Sequence, residues 1–336
     1  KGVASKGADS KLVDTVFRLD HEWRKSVEAL DAARALQKQL SDERKIEEAK
    51  KNKEEIKALE ERVATLESER DIAWAQIPNP PLEWVIKGTS ELDNQVLREV
   101  GDRTTFDFPP KDYLALAGKL NLVDTEHAGK VSGTRFAYLL GDLVRMEFAL
   151  GQLLFETVAD REVLKKIIAD NKLDVSDKPF VPVLPPVLIN RDSMAAMGYM
   201  ERGGDEIYHL PKDDLYLVGT SEQSIGPMYR NEILNAEDLP LRYVGFSTCF
   251  RREAGSSGKD TKGILRVHQF NKFEMLSFAP PTLSDGEHHL FLAIEEYLMQ
   301  KLGLPYHVLN ICSADLGDPA AAKFDIEAWL PGQNEG

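Results

Sequence analysis

The residues best suited to chemistry lie in one stretch, in which two strand-like segments flank a loop of glycines and small polar residues. The outgoing segment ends with Arg251, Arg252 and Glu253, and the return segment covers 266–275. Because strand side chains alternate between two faces, Arg251 and Glu253 are predicted to share a face that Arg252 does not. On the return strand the same alternation groups Arg266, His268, Phe270, Lys272 and Glu274. The sequence therefore predicts a long hairpin with one polar face.

Such a face has the chemistry to hold a nucleotide. Guanidinium forks match phosphate oxygens and neutralise charge as a phosphorus atom is attacked, which suits Arg251 and Arg266. Phe270 can stack on a purine ring, Glu253 can accept from its amino group, and Glu274 can pair with an ammonium group. Ordinary cross-strand ion pairs on a solvated sheet explain the same spacing equally well. Both interpretations stay open on spacing alone.

A second polar group is the triplet Thr220-Ser221-Glu222, which follows the strand-like stretch 215–218. Thr220 and Glu222 are two residues apart, so their side chains are predicted to project the same way. A turn or a helix N-cap is the commoner role for such a triplet. The triplet alone therefore does not identify a binding site.

The sequence offers little for a metal site. Cys249 and Cys312 are far apart and have no Cys or His partner at metal-ligand spacing, so no structural zinc is predicted. Cys249 lies among strand-like residues, which favours a buried thiol over a nucleophile. Three later carboxylates have the chemistry to bind a divalent metal carried with a nucleotide, although solvated carboxylates are commoner. They are Asp315, Asp325 and Glu327.

The elements that would position these groups begin with a helical region. From about residue 10 to residue 76 the chain has no proline and no glycine, which favours long helices. Its apolar residues recur at helical spacing on both sides of the polar break 41–43, and two antiparallel helices joined there would pack these stripes together. The stripe residues are Trp23, Val27, Leu30 and Leu40, then Ile56, Leu59, Val63 and Leu66. A dimerising coiled coil or a solvated helix pair fits the same pattern.

A cluster of basic residues, called the tip cluster below, lies near the predicted turn. Its members are Arg44, Lys45, Lys50, Lys51, Lys53 and Lys57. The chain as a whole carries a formal charge of −14, which argues against unspecific binding to nucleic acid. Any RNA contact must use a local basic patch of this kind, although most charge runs are simply solvated helix faces.

Three prolines in 77–81 end the helical region and predict a boundary between domains 1–84 and 85–336. The second part mixes glycines, aromatics and β-branched residues, as expected of an α+β domain. It includes an apolar helix around 139–158 and a proline-containing stretch, 180–189, that suits an edge strand. No apolar run approaches the ~20 residues that span a bilayer, and no signal peptide is evident. A cytoplasmic protein is predicted.

Together these residues resemble the seryl-tRNA synthetases over nearly the whole chain. The segment 250–253 with the return 266–270 resembles motif 2 of class II synthetases in its seryl form. Thr220-Ser221-Glu222 is similar to the family's T-x-E serine motif, and Pro186 to the motif 1 proline at the dimer interface. Further blocks that agree are 77–79, 132–136, 314–317 and 324–329.

The resemblance implies an α+β fold, in which an antiparallel two-helix coiled-coil arm precedes an antiparallel sheet flanked by helices. It implies ATP-dependent activation of L-serine to seryl-adenylate and transfer to the 3′ end of tRNA(Ser), and also of tRNA(Sec). The arm would bind the tRNA, Mg²⁺ would accompany ATP, and the protein would be a homodimer through the motif 1 region. The implied serine ligands are Thr220, Ser221, Glu222 and Glu274. The implied ATP ligands are Arg251, which is also catalytic, with Arg252, Glu253, Arg266 and Phe270.

The chain also departs from the family pattern. It stops at 333–336, before the family's metal-binding segment and motif 3, and it starts without the usual first strand and helix. We expect both segments beyond the ends of this sequence. Two alternatives remain: a related ligase that loads a carrier protein, which the helical arm disfavours, and an inactive paralogue acting as a binding module. Intact Arg251, Glu253, Glu222 and Glu274 weigh against the second.

Overall fold

The computed structural model describes residues 2–200, 204–254 and 263–332. The loop predicted at 255–259 and the C-terminal residues 333–336 lie outside the described residues.

The chain forms two compact units. The first comprises Lys1–Gln95 and Asn310–Lys323, and the second comprises Val96–Leu309 and Phe324–Gly336. The functional division predicted after residue 84 stays a prediction.

The first unit contains the predicted arm. Helix α1 spans Lys11–Asp42, helix α2 spans Ile46–Ala75, and residues 43–45 form the turn between them. The apolar stripes face each other, and the residues buried most deeply between the helices include Leu30, Ala33, Leu40 and Leu66. The prediction of an antiparallel two-helix arm is confirmed.

Polar contacts fix how the two helices of the arm are aligned. The buried Asn52 donates from Nδ2 to the carbonyl of Ala33 and to Oε1 of Gln37, both at 2.9 Å. Nearer the base, Arg34 pairs with Glu60 across the two helices at 2.8 Å. A buried amide in a largely apolar seam favours one register over others.

The second unit is a mixed α+β fold, as predicted. Its helices after the arm are α3 Tyr113–Lys119, α4 Thr125–Ser132, α5 Asp142–Ala159, α6 Arg161–Asp170, α7 Arg191–Ala196, α8 Glu222–Ile225 and α9 Ser284–Lys301. The strands of the described chain are β1 Gln95–Val100, β2 Val123–Asp124, β3 Tyr138–Leu139, β4 Val181–Val183, β5 Leu188–Asn190, β6 Tyr208–Leu210, β7 Leu215–Leu217, β8 Leu241–Phe250, β9 Gln269–Phe278, β10 Tyr306–Asn310 and β11 Phe324–Ala328. None of the helices in the described part of the chain combines the length and the apolar character needed to cross a bilayer.

The sheet that carries the predicted hairpin has the order β4-β8-β9. Strands β8 and β9 pair antiparallel from Leu241 opposite Phe278 to Phe250 opposite Gln269. Strand β4 lies at the edge and runs parallel to β8, which confirms the edge strand predicted from the prolines of 180–189. The predicted apolar helix is α5. Three further sheets among the described residues have the orders β1-β10-β11, β2-β3 and β5-β7-β6.

The main core of this unit lies under the hairpin. Apolar residues of α5, α6 and α9 pack with β8 there, among them Val158, Leu164, Ile167, Val244, Leu290 and Ile294. A buried ion pair also ties β8 to α9, because Arg242 donates from Nε to Glu287 at 2.7 Å. Both side chains are nearly inaccessible, at 0% and 4%. Losing one partner of such a pair typically costs about 3–5 kcal/mol, so the base of the hairpin is firmly held.

Candidate functional site

The site is built where the end of β8 meets the segment that follows β7. The Phe250 N–H, at the end of β8, donates to the carbonyl of Val218, just after β7, at 2.8 Å. Arg251 then donates from Nε to the carbonyl of Gly219 at 3.3 Å. These contacts bring the T-x-E triplet beside the hairpin, although the two are separated by about thirty residues of sequence.

Thr220, Lys272 and Glu274 form one hydrogen-bonded group. The buried Thr220 hydroxyl donates to Oε2 of Glu274 at 2.8 Å. Lys272 donates from Nζ to Thr220 Oγ1 at 3.1 Å and pairs with Glu274 at 2.5 Å. Strand alternation correctly predicted that Lys272 and Glu274 share a face of β9. The structure thus brings together two of the predicted serine ligands, and their role stays a prediction.

Glu222 adds a second carboxylate to this group. Burial raises the pKa of Glu222, and the nearby Glu274 raises it further, while Lys272 and Tyr199 oppose the shift. Tyr199 donates from its hydroxyl to Oε2 of Glu222 at 3.4 Å. Burial, with Glu222 as the next cause, holds the pKa of Tyr199 above its usual range. Glu222 and Glu274 thus place two carboxylates near Thr220, an arrangement suited to pairing with a small cationic group.

Ser221 is placed differently from its neighbours. Its side chain is fully buried, and its hydroxyl lies 2.8 Å from the hydroxyl of Ser247 on β8. It also packs against Gly245, where an added Cβ would lie 3.0 Å from the Ser221 Cβ. Its side chain therefore anchors the triplet to β8, and direct contact of Ser221 with an amino acid stays a prediction.

The prediction that Arg251, Glu253 and Arg266 follow strand alternation is wrong, because these residues lie outside the strands. Strand β8 ends at Phe250 and β9 begins at Gln269, so Arg251, Glu253 and Arg266 lie in the connecting segments. Glu253 has φ of 52°, a left-handed conformation in which strand alternation does not apply. The predicted nucleotide ligands contact one another instead, and the Arg266–Glu253 contact is an ion pair of the kind that the alternative interpretation describes. Their contact with ATP stays a prediction.

Those contacts form two pairs. The Arg251 guanidinium lies over the Phe270 ring, with Cζ 5.2 Å from the ring centroid. Arg266 donates from Nε to a carboxylate oxygen of Glu253 at 2.5 Å. A cation beside an aromatic ring, next to a cation–carboxylate pair, supplies the donors and the stacking surface that a nucleotide requires.

Arg252 is separated from these pairs. Its guanidinium lies 5.8 Å from the centroid of the Tyr208 ring on β6, and its N–H donates to the carbonyl of Glu206. This agrees with the prediction that Arg252 points away from Arg251. The contact of Arg252 with ATP stays a prediction.

Three residues near the site received no role from the sequence. Lys272 carried a usable signal, because it lies two residues before Glu274 on the same face of β9. Arg135 lies in the block 132–136 that agrees with the family, although the resemblance gave it no role. Tyr199 carried no signal. The two residues contact Glu253 and Glu222 over 118 and 23 residues of sequence. Only the fold reveals contacts of that range.

The cysteine and metal predictions can also be compared with the structure. Cys249 is fully buried and burial raises the pKa of its thiol, which confirms the buried thiol. Asp315 accepts from Asn94 at 2.8 Å, and Glu327 lies 2.6 Å from His307. Within 2–200, 204–254 and 263–332, no group of three or more His, Cys, Asp or Glu residues could hold a metal ion. The interpretation of Asp315, Asp325 and Glu327 as a metal site is therefore not supported there.

Two family models match the chain. The "tRNA synthetase class II core domain (G, H, P, S and T)" matches residues 208–336, and the "Seryl-tRNA synthetase N-terminal domain" matches residues 1–81. The α+β fold, the hairpin and the core match define a class II aminoacyl-tRNA synthetase.

Relatives over the whole chain narrow this class. The serine–tRNA ligase of Acidothermus cellulolyticus is 42% identical over 341 residues, covering 98% of this chain and 76% of the relative. The serine–tRNA ligase of Clavibacter michiganensis is 38% identical over 339 residues, covering 98% of this chain and 75% of the relative. The chain belongs to the seryl-tRNA synthetase family.

Solved structures agree with this assignment. Seryl-tRNA synthetase from Pyrococcus horikoshii complexed with ATP has a TM-score of 0.82 and 34% identity, covering 97% of this chain and 76% of that one. Cytoplasmic serine-tRNA ligase from Naegleria fowleri in complex with AMP has a TM-score of 0.82 and 33% identity, covering 99% and 76%. The fold prediction is confirmed.

Proposed function

We propose that this protein activates L-serine with ATP and transfers it to tRNA(Ser) and tRNA(Sec), acting in the cytoplasm as a serine–tRNA ligase. The observation that carries the proposal is the position of the two carboxylates Glu222 and Glu274 with Thr220, called the acidic group below. It lies beside Arg251, which contacts both Gly219 and the Phe270 ring. Amino-acid-dependent exchange of pyrophosphate into ATP tests the proposal, and serine should support it.

In the first step a serine carboxylate oxygen attacks the α-phosphorus of ATP. A new P–O bond forms, the bond to the bridging oxygen breaks, and pyrophosphate leaves with its electron pair. Arg251 neutralises the negative charge that builds on the α-phosphoryl oxygens. Glu253 accepts from the adenine amino group, Phe270 stacks on the base, and Arg266 binds the outer phosphates. Catalysis then consists of positioning and charge stabilisation, without a covalent enzyme intermediate.

Serine is selected by the polar group around Thr220. The carboxylates of Glu222 and Glu274 pair with its ammonium group and accept from its hydroxyl, and Lys272 holds Thr220 and Glu274 in place. Alanine keeps the ammonium group but lacks the hydroxyl, so the carboxylate oxygen that accepts from the serine hydroxyl would lose its donor. A site built to hydrogen-bond a substrate hydroxyl rejects an analogue lacking it by about 10⁴–10⁵-fold.

In the second step a ribose hydroxyl at the 3′ end of the tRNA attacks the carbonyl carbon of seryl-adenylate, and AMP leaves. We assign tRNA binding to the domain 1–84 and activation to the domain 85–336. The tip cluster supports this assignment because all six of its side chains are exposed. Exposed lysines and an arginine at the end of a long helical pair suit contact with RNA phosphates.

Magnesium enters this scheme as part of the ATP substrate. The described residues contain no cluster of ligands that would hold a metal without the nucleotide. Mg²⁺ characteristically binds through substrate phosphates and only one or two carboxylates, and it neutralises part of the phosphate charge. The steps assigned above to Arg251 and Glu253 do not depend on where it binds.

We also propose that a second copy of the chain covers the apolar surface around Pro186. Leu184 is 79% exposed there, and Val181 and Leu188 are also exposed. Large exposed apolar patches mark protein interfaces in soluble proteins, and these three side chains are available for one. The surface supports the homodimer that the motif 1 resemblance implies.

Serine binding should depend on pH through Glu222. Because burial and Glu274 raise the pKa of Glu222, this carboxylate takes up a proton as the pH falls at a value where an ordinary glutamate is still ionised. The protonated form cannot pair with the serine ammonium group. The KM for serine in pyrophosphate exchange should therefore begin to rise at a pH above the range where an ordinary glutamate titrates, about 4.3, while the KM for ATP changes little.

Glu222→Gln is the matched variant, because it keeps the size of the side chain and removes its charge. It should raise the KM for serine at neutral pH and flatten the pH profile. A wild-type profile that stays level down to about pH 4.3, the value of an ordinary glutamate, would contradict this role of Glu222.

A further inference from the structure

The segment 132–136 contacts the hairpin from outside, through Arg135 and Phe136. Arg135 has φ of 59°, a conformation that few residues other than glycine adopt. In this conformation its carbonyl accepts the N–H of His268 at 3.0 Å. The Phe136 ring lies 5.2 Å from the His268 ring. The return segment is therefore held just before β9 begins.

The side chain of Arg135 reaches the outgoing segment as well. Its Nη1 donates to the backbone carbonyl of Glu253 at 3.2 Å. Glu253 is itself in a left-handed conformation, and its carboxylate pairs with Arg266. Arg135 is half-buried, so its guanidinium is partly shielded from water. Arg135 thus contacts both the segment that follows β8 and the segment that precedes β9, each at least 118 residues away in sequence.

His268 in turn contacts the backbone of Arg251. The Arg251 N–H donates to the His268 carbonyl at 3.0 Å, and His268 Nδ1 lies 2.9 Å from the Arg251 carbonyl. The backbone of Arg251 is therefore fixed to a residue that Arg135 and Phe136 hold. Arg251 and Glu253, the two residues assigned to the α-phosphate and the adenine, both depend on the same outside support.

We propose that Arg135 is a positioning residue of the ATP site, which holds Arg251 and Glu253 in their binding conformation before the nucleotide arrives. This inference rests on the function proposed above. Without the guanidinium, the Glu253 carbonyl loses this donor, and the segment around Glu253 is held less firmly before ATP binds. Ordering a loop on binding lowers affinity, so ATP binding weakens while the serine pocket is unaffected.

The test is steady-state pyrophosphate exchange by the full-length protein with Arg135→Ala, Arg135→Gln and Arg135→Lys. For Arg135→Ala we expect the KM for ATP to rise about tenfold, which corresponds to about 1.4 kcal/mol. The KM for serine should stay within about twofold. Lys and Gln keep a donor, so they should restore part of the ATP affinity. Arg161→Ala is the control, because the Arg161 side chain is 63% exposed and pairs with Asp177.

The outcomes separate this inference from the proposed function. If wild type shows serine-dependent exchange and Arg135→Ala leaves the KM for ATP unchanged, the inference is wrong and the proposed function stands. A fall in kcat and melting temperature with both KM values unchanged would show a merely structural role and overturn it as well. If wild type exchanges with no amino acid, the proposed function itself fails. Should Arg135→Ala not fold, the KM for ATP of the Lys and Gln variants decides.

Discussion

Replacing Arg251 by alanine should lower serine-dependent pyrophosphate exchange by about 10²–10³-fold, the usual effect of removing one donor aimed at developing charge. The variant loses the guanidinium that lies over the Phe270 ring and donates to Gly219. Because the charge of Arg251 is needed mainly in the transition state, kcat should fall more than the KM for serine rises. Initial exchange rates at saturating serine measure the effect.

Arg252→Ala provides a comparison on the adjacent residue. The Arg252 guanidinium lies over Tyr208 and away from Phe270, so its loss should cost much less than the loss of Arg251. Arg251→Lys keeps the charge but not the planar fork, and it should recover only part of the activity. Full exchange activity in Arg251→Ala would rule out its phosphate role. Equal losses in the two alanine variants would mean that Arg252 also binds ATP.

Shortening the arm should abolish tRNA charging and spare serine activation. Arg34 and Glu60 face each other at 2.8 Å, so residues 35–59 can be replaced by a Gly-Ser-Gly link between them. This removes the whole tip cluster and keeps the core at the base of the arm, which includes Val16 and Leu66. We expect the charging rate to fall by at least about a hundredfold, because a protein that makes several phosphate contacts depends strongly on them. Exchange should stay within about twofold of wild type.

A charge-reversal variant of the tip cluster is the matched control for the shortened arm. Lys50→Glu, Lys51→Glu and Lys53→Glu together leave the helix length unchanged and reverse three exposed charges. Charging by this variant should weaken, and its dependence on salt should become shallower than that of wild type. If the variant with the shortened arm still charges tRNA normally, the removed residues 35–59 are not needed for tRNA binding. If charging and exchange are lost together, the arm supports folding of the chain.

Local patterns were sufficient to predict the elements with strong periodicity. The stripe that includes Leu30 and Leu66 predicted the arm, and alternation on β9 placed Lys272 and Glu274 on one face. Each of these depends on residues a few positions apart, where helix and strand geometry fix side-chain direction. The proline-containing stretch 180–189 predicted an edge strand for a similarly local reason, the missing backbone donor.

The rest of the site depends on contacts that no local pattern encodes. Alternation failed at Glu253, because its left-handed backbone is stabilised by Arg135 from another part of the fold. The buried Ser221 hydroxyl bonds to Ser247 on β8, and the polar triplet alone did not predict this contact. Neither periodicity nor alternation named serine as the substrate. That prediction came from the resemblance of the motifs, and the relatives over 98% of the chain now support it.

The central claim is that the acidic group around Thr220 selects serine for activation at Arg251. The most direct measurement is pyrophosphate exchange by the full-length protein with each of the common amino acids in turn. We expect robust exchange with serine, little with threonine, and almost none with alanine, since alanine lacks the hydroxyl that the carboxylates accept from. Exchange with another amino acid and none with serine would contradict it.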